Sequence, residues 1–263
     1  MRSSDWVCLA FFLYLSLACW YPPLAWTRRL AVSAIAAAVA MTIFIASTTL
    51  PSALHDWAPL VYISVGYYLT GWVYAEPSLG LEAWLLRWDR RLFGDPTTRF
   101  ARWPRWLSAY LDLVYTFCFL LLPAGCAALV LGGHAQHANR YWTLVAAADL
   151  GAFAPLAAFQ TRPPWQLEPP AVVSSRGAHA VATFLVQHGT IGVNTFPSGH
   201  VAVSFAIAIG VIDVMPVTGA VLLVLALTIV VACVVGRYHY TIDAVTGAAW
   251  GLLVWLVVAL SCP

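Results

Sequence analysis

Apolar residues run in long stretches through most of the chain, near 6–22, 29–50, 58–76, 107–131, 141–159, 199–214, 217–235 and 243–261, with the polar residues gathered between them. A helix needs about 20 predominantly apolar residues to cross the hydrocarbon core of a bilayer. The pattern therefore predicts an all-α, polytopic transmembrane helical bundle of about eight spans. No internal repeat and no low-complexity linker divides it, so residues 1–263 read as a single membrane domain.

Two connections are longer than turns. In residues 77–105, Leu81, Trp84, Leu85, Trp88 and Leu92 fall at helical spacing, with Glu82, Arg87, Asp89, Arg90 and Arg91 elsewhere on the turn. That pattern predicts an amphipathic helix lying among the lipid headgroups. In residues 160–197, prolines at 163, 164, 169 and 170 forbid a continuous helix, while 176–188 can form a short one. Irregular backbone at membrane depth is tolerated where it lines a cavity.

Composition agrees with the pattern. Hydrophobic residues make up 62% and charged residues 9% of the chain, a balance that a soluble domain could not carry on its surface. The first run ends in Trp20 and Tyr21 instead of the small residues of a cleavage site, so it reads as a retained span. The cysteines at 8, 19, 118, 126, 233 and 262 sit in or beside apolar runs without CxxC spacing and read as packing. All 13 basic residues are arginine, and a net charge of +2 gives no extended basic surface for nucleic acid. Nothing in the pattern specifies an oligomeric state.

Ionisable residues in or beside a span are expensive and point to function. His239 and Asp243 are four apart, so a last helix beginning near Tyr238 would put them on one face, where the carboxylate can orient and charge the imidazole. Ser198 stands at the N-cap position of the run 199–214, and His200 falls in its first turn. Free backbone N–H groups there, with Gly199 allowing close approach, would form an anion site, and His200 could protonate a leaving oxygen. Arg162 and Arg237 flank the same face by span counting, and guanidinium groups clamp phosphate. Asp112 and Asp149 lie inside other runs and are expected to pair with these groups or between helices.

These residues resemble the type 2 phosphatidic acid phosphatase (PAP2) superfamily, whose three motifs are Lys-x6-Arg-Pro, Pro-Ser-Gly-His and Ser-Arg-x5-His-x3-Asp. Phe196 to His200 match the second, His239 and Asp243 match the core of the third, and Arg162-Pro163 match the end of the first. The position seven before Arg162 is Pro155 where the family has Lys. The Ser and Arg of the third motif fall on Ala232 and Cys233, with an arginine instead at 237. The wording His239-Tyr-Thr-Ile-Asp243, the stretch Trp88 to Gly94 and the extra N-terminal spans resemble the branch with inositol-phosphorylceramide and sphingomyelin synthases. The resemblance implies a six-helix catalytic core within 106–263, preceded by N-terminal spans (1–76) and the interfacial connection (77–105). It implies a lipid phosphatase or phosphotransferase in which His239 becomes phosphorylated, Asp243 orients it and His200 protonates the leaving oxygen. Arg162, Arg237, Ser198 and Gly199 would bind the phosphoryl oxygens, with no metal and no cofactor. The implied partners are a membrane lipid phosphate and, for transfer, a lipid or sugar alcohol acceptor. Two other classes share the ingredients: a metal-dependent hydrolase with His200, His239 and Asp243 as ligands, and a non-enzymatic lipid transporter or binding protein.

With eight spans, the loops near 23–28, 77–106, 160–198 and 236–242 share one side. That side and its flanks hold arginines 28, 29, 87, 90, 91, 99, 102, 105, 162, 176 and 237, and the other side holds Arg2 and Arg140. Counted as loop charge, this places the site in the cytoplasm. The resemblance implies the outer, periplasmic side of a bacterial inner membrane, and the two proposed clamp residues and the six interfacial arginines inflate the count. The expectation adopted is the outer side.

Overall fold

The computed structural model describes residues 1–167 and 189–261. The short helix expected at 176–188 lies outside the described residues. Among the described residues the protein is helical, with no strand beyond an isolated bridge between Thr161 and Asn194. The helices are α1 (Ser3–Ala18), α2 (Trp26–Thr49), α3 (Ser52–His55), α4 (Ala58–Gly71), α5 (Leu79–Phe93) and α6 (Pro96–Ala101). They continue as α7 (Arg105–Thr116), α8 (Leu121–Leu131), α9 (Ala138–Phe153), α10 (Gly199–Ile212), α11 (Pro216–Val235) and α12 (Thr241–Ser261).

Helix α10 is the axis of the bundle. It is apolar on every side, and nearly all of its residues are buried against α9, α11 and α12, as expected of a helix enclosed by protein. Lipid is as apolar as leucine, so helices in a membrane associate through close packing and not through the hydrophobic effect. Helix α12 meets α10 through Gly247 and Gly251, one turn apart. A Cβ at either position would stand 2.6 Å from a backbone oxygen of α10 or its cap, that of Ser198 or of Ala202. Around this centre α1 packs on α9, α2 on α1, and α7 on α11.

Among the described residues, three helices, α2, α11 and α12, are long and apolar enough to cross a membrane. The run expected as one span near 107–131 is bent by 45° between α7 and the helix that follows. A 3-10 turn at Cys118–Leu120 interrupts it, and Pro123 has no N–H to continue the ladder. The runs near 6–22 and 199–214 form the shorter apolar helices α1 and α10. Those near 58–76 and 141–159 form α4, of 14 residues, and α9, of 16.

Polar contacts tie the helix ends together at both poles. At one pole the Asp5 carboxylate meets His55 Nε2 at 2.9 Å, and Ser4 Oγ donates to Asn139 Oδ1 at 3.0 Å. At the other, Gln160 accepts from the N–H of Ala75 through its side chain (2.6 Å) and from the N–H of Ser78 through its carbonyl (2.7 Å). The first element of the 77–105 connection is helical as expected, but its faces are not those expected. Leu85 is fully buried together with Glu82 and Asp89, while Trp84 and Leu92 are exposed. The inward face of α5 is acidic because it meets two arginines.

Candidate active site

Residues 236–243 form the centre of the site. Helix α11 ends in a Schellman motif: the N–H of Tyr238 donates to Cys233 O at 3.0 Å and that of Arg237 to Val234 O at 3.2 Å. The residue at the left-handed position is Arg237, with φ of 59°, where glycine is the usual occupant. An arginine there is a departure that a functional constraint explains better than propensity does. The turn reverses the chain and sends His239 back over the end of α10.

Helix α12 begins at Thr241, so His239 precedes the helix and does not share a helical face with Asp243. The pairing is made instead around the helix start. Asp243, three residues past Tyr240, accepts from the N–H of Tyr240 at 3.1 Å, which is half of a capping box. Its Oδ2 lies 3.7 Å from His239 Nδ1. The same oxygen accepts from Asn194 Nδ2 at 2.8 Å, and Asn194 Nδ2 also reaches Thr161 Oγ1 at 2.9 Å. On the other side of the ring, His239 Nε2 lies 3.4 Å from His200 Nδ1. All three chemical groups are buried. Burial pushes the His239 imidazole down to about 3, which keeps it neutral and able to act as a nucleophile.

His200 is aimed by its turn and by aromatic packing. Ser198 caps α10, accepting from the N–H of Val201 at 3.4 Å, as the sequence predicts. The His200 ring stacks on Tyr115 at 4.6 Å, and Tyr115 stacks in turn on Tyr238 at 3.8 Å. The expected anion turn is not what the structure builds. The N–H of Ser198 is taken by Asp243 O at 3.0 Å and that of Gly199 by Thr195 Oγ1 at 3.3 Å. A Cβ on Gly199 would stand 2.5 Å from the Phe153 ring, so this glycine admits helix α9 and not a phosphate. Ser198 and Gly199 therefore orient His200 and lock it to Asp243.

The two arginines neighbour in sequence the cavity-lining residues Pro163 and Tyr238, and each side chain is held by a carboxylate of α5. Arg162 donates to Glu82 from Nε (3.1 Å), Nη2 (2.8 Å) and its backbone N–H (2.8 Å). Arg237 Nη1 donates to Asp89 Oδ2 at 2.8 Å. Asp112 accepts from Tyr238 Oη at 3.0 Å. Asp149, expected to pair with a site residue or across helices, has neither carboxylate oxygen hydrogen-bonded among the described residues. It lies behind Gly199, whose added Cβ would be 3.3 Å from Asp149 Oδ1.

A small cavity opens on the two histidines and is lined by Tyr67, Tyr115, Phe153, Trp165 and Tyr238 among others. Among the described residues, no group of three or more His, Cys, Asp or Glu side chains could hold a metal ion. The five described cysteines are free and buried. Sequence reasoning missed Asn194, Tyr115, Glu82 and Asp89. The last two are seven apart, two helical turns, with Leu85 between them, a signal for an inward acidic face.

A family model described as the PAP2 superfamily matches residues 83–257, more than half of the chain. Neither curated proteins nor solved structures include a match to the chain.

Proposed function

The chain belongs to the PAP2 superfamily, which points to phosphatase-type activity, and from that premise we propose that it moves the phosphoryl group of a membrane lipid through a phosphohistidine on His239. The observation that carries the reading is the line Asp243, His239, His200, with 3.7 Å and 3.4 Å between successive nitrogen and oxygen atoms and all three groups buried.

In this reading His239 Nε2 attacks phosphorus, the bond from phosphorus to the leaving oxygen breaks, and His200 gives that oxygen a proton. Asp243 steadies the positive charge that develops on the imidazole. A water or an alcohol then attacks the phosphohistidine, returning its proton to His200 and freeing His239. The two rings part to admit the substrate. Arg162 and Arg237 hold the phosphoryl oxygens and stabilise the charge of the transition state. No metal takes part. Water as the acceptor makes the protein a phosphatase. A lipid or sugar hydroxyl makes it a phosphotransferase, as in the inositol-phosphorylceramide and sphingomyelin synthase branch.

The reading includes a single membrane domain of about eight spans, with N-terminal spans over 1–76, an interfacial connection over 77–105 and the catalytic core over 106–263. The site faces the outer side of a bacterial inner membrane. Alternation of the polar contacts between the two poles of the bundle supports that span count.

The test is incubation of the purified protein with diacyl, polyprenyl and sphingoid lipid phosphates, with and without an alcohol acceptor and with EDTA. Release of phosphate or formation of a new phosphodiester, insensitive to EDTA and abolished by His239→Ala, is expected, together with an acid-labile phosphate on His239. Binding of lipid phosphate without turnover or labelled histidine would favour a transporter, and EDTA sensitivity restored by zinc a metallohydrolase.

A further inference from the structure

Helix α5 carries two carboxylates on one face, Glu82 and Asp89, and each holds a different arginine of the site. The two arginines come from segments far apart in sequence, one before the 160–197 connection and one in the turn between α11 and α12. A single helix thus sets the distance between them. Asp89 does more: its Oδ1 accepts from the N–H of Thr241 at 2.9 Å, placing an acid at the start of α12, where the helix dipole favours it. Glu82 likewise receives the N–H of Arg162, so each acid fixes both a guanidinium and a backbone N–H.

A buried arginine without a counter-charge is costly, and Arg237 and Asp89 are both buried. Yet a carboxylate in a guanidinium fork occupies the geometry that a phosphate requires. Arg162 spends Nε and Nη2, the bidentate edge, on Glu82. Burial pushes the Glu82 carboxyl up, and the Arg162 guanidinium and N–H together hold it below the ordinary carboxylate value. It is therefore an anion at neutral pH, competing for the same donors.

We propose that Glu82 and Asp89 are positioning residues that hold Arg162 and Arg237, whose chain neighbours Pro163 and Tyr238 line the histidine cavity, and compete for them with the phosphate anion, so that phosphate is bound but also released. This rests on the reading of the two arginines as phosphate ligands. Removing the charge while keeping the acceptor oxygen strengthens phosphate binding; removing the side chain loses the aim of the guanidinium and weakens it.

The experiment is equilibrium binding of inorganic phosphate to the full chain in detergent micelles, read by 31P line broadening, for the wild type, Glu82→Gln, Glu82→Ala and the swap Glu82→Arg with Arg162→Glu. Glu82→Gln binds phosphate about fivefold more tightly, the scale of an ion pair at a protein surface. Glu82→Ala binds more weakly, and the swap, which keeps an ion pair but moves the guanidinium, does not bind. In turnover of a lipid phosphate, Glu82→Gln lowers KM with kcat unchanged or lower. Asp89→Asn, which keeps an acceptor for Thr241, gives the same gain in affinity if Glu82→Gln does not fold. Equal affinity in the wild type and Glu82→Gln, a swap that still binds, or a wild type that binds no phosphate overturns the proposal. Phosphate binding with this pattern but no turnover of any lipid phosphate upholds it and removes the enzymatic reading instead.

Discussion

Asn194 Nδ2 lies 2.8 Å from Asp243 Oδ2, the oxygen that faces His239. The carboxylate beside the histidine is thus itself held from the loop ahead of α10. A hydrogen bond to a charged group contributes about 1.5–3 kcal/mol, so Asn194→Ala should lower kcat roughly 10- to 100-fold with KM little changed. Asn194→Asp should be worse, since it sets a second carboxylate against Asp243. Steady-state kinetics on folded variants decide this, and a loss confined to KM would show that Asn194 serves substrate binding instead.

Arg237 occupies the left-handed position of the turn after α11. Arg237→Ala and Arg237→Gly both remove the guanidinium and should be equally inactive. Glycine adopts this conformation without penalty, whereas alanine is strained by about 1 kcal/mol or more. The glycine variant should therefore melt at the higher temperature of the two, a comparison in which the lost pairing with Asp89 cancels.

Gly251 touches the backbone of α10 at Ala202. Gly251→Val should part α10 from α12, costing about 1–3 kcal/mol as overpacking does, and should reduce turnover although the residue touches no reacting group. Gly251→Ala should do the same to a smaller degree. Thermal melts and kinetics of the two variants test the order.

The pairing with Arg162 holds the Glu82 carboxyl below its ordinary value, so its stabilising effect is fully present above the unfolded carboxylate range and is lost as pH falls through the folded value. The Arg162 side chain is 36% exposed, which limits the pair to about 1 kcal/mol or less. The wild type should therefore melt slightly above Glu82→Gln near neutrality, and the two curves should converge under acid conditions. A gap that stays constant across pH would mean that the charge of Glu82 plays no part.

The bundle's helical class and the rough position of its apolar helices could be read from apolar run length, because the demand of a bilayer on composition is severe, but the short helices α3 and α6 and the break between α7 and α8 could not. That His200, His239 and Asp243 come together could be anticipated from Pro197 to His200 and His239 to Asp243, but the shared helical face expected of the last two is not formed, because the helix begins only at Thr241. What the spacing could not give was how backbone donors are spent. The N–H groups of Ser198 and Gly199 go to Asp243 and Thr195, the first partner set by the packing of α10 on α12 and the second by the loop that leads into α10. Glu82 and Asp89 were hidden for another reason: on an isolated amphipathic helix a charged residue belongs to water, and only tertiary contact with Arg162 and Arg237 reverses that. The Gly247 and Gly251 pair was not read from the sequence, although small residues four apart are a signal for close helix packing; Gly247 meets the Ser198 cap of the helix that carries His200.

Helix α10 has 14 residues, a rise of about 21 Å against a hydrocarbon core of about 30 Å. A helix that short facing lipid would have to thin the bilayer around it. Enclosed by α9, α11 and α12, it makes no such demand, and the depth of His200 is set by its neighbours. Membranes of different thickness should then tilt the outer helices while leaving the reacting groups at a fixed distance from one another, so that turnover is insensitive to acyl-chain length in the surrounding lipid.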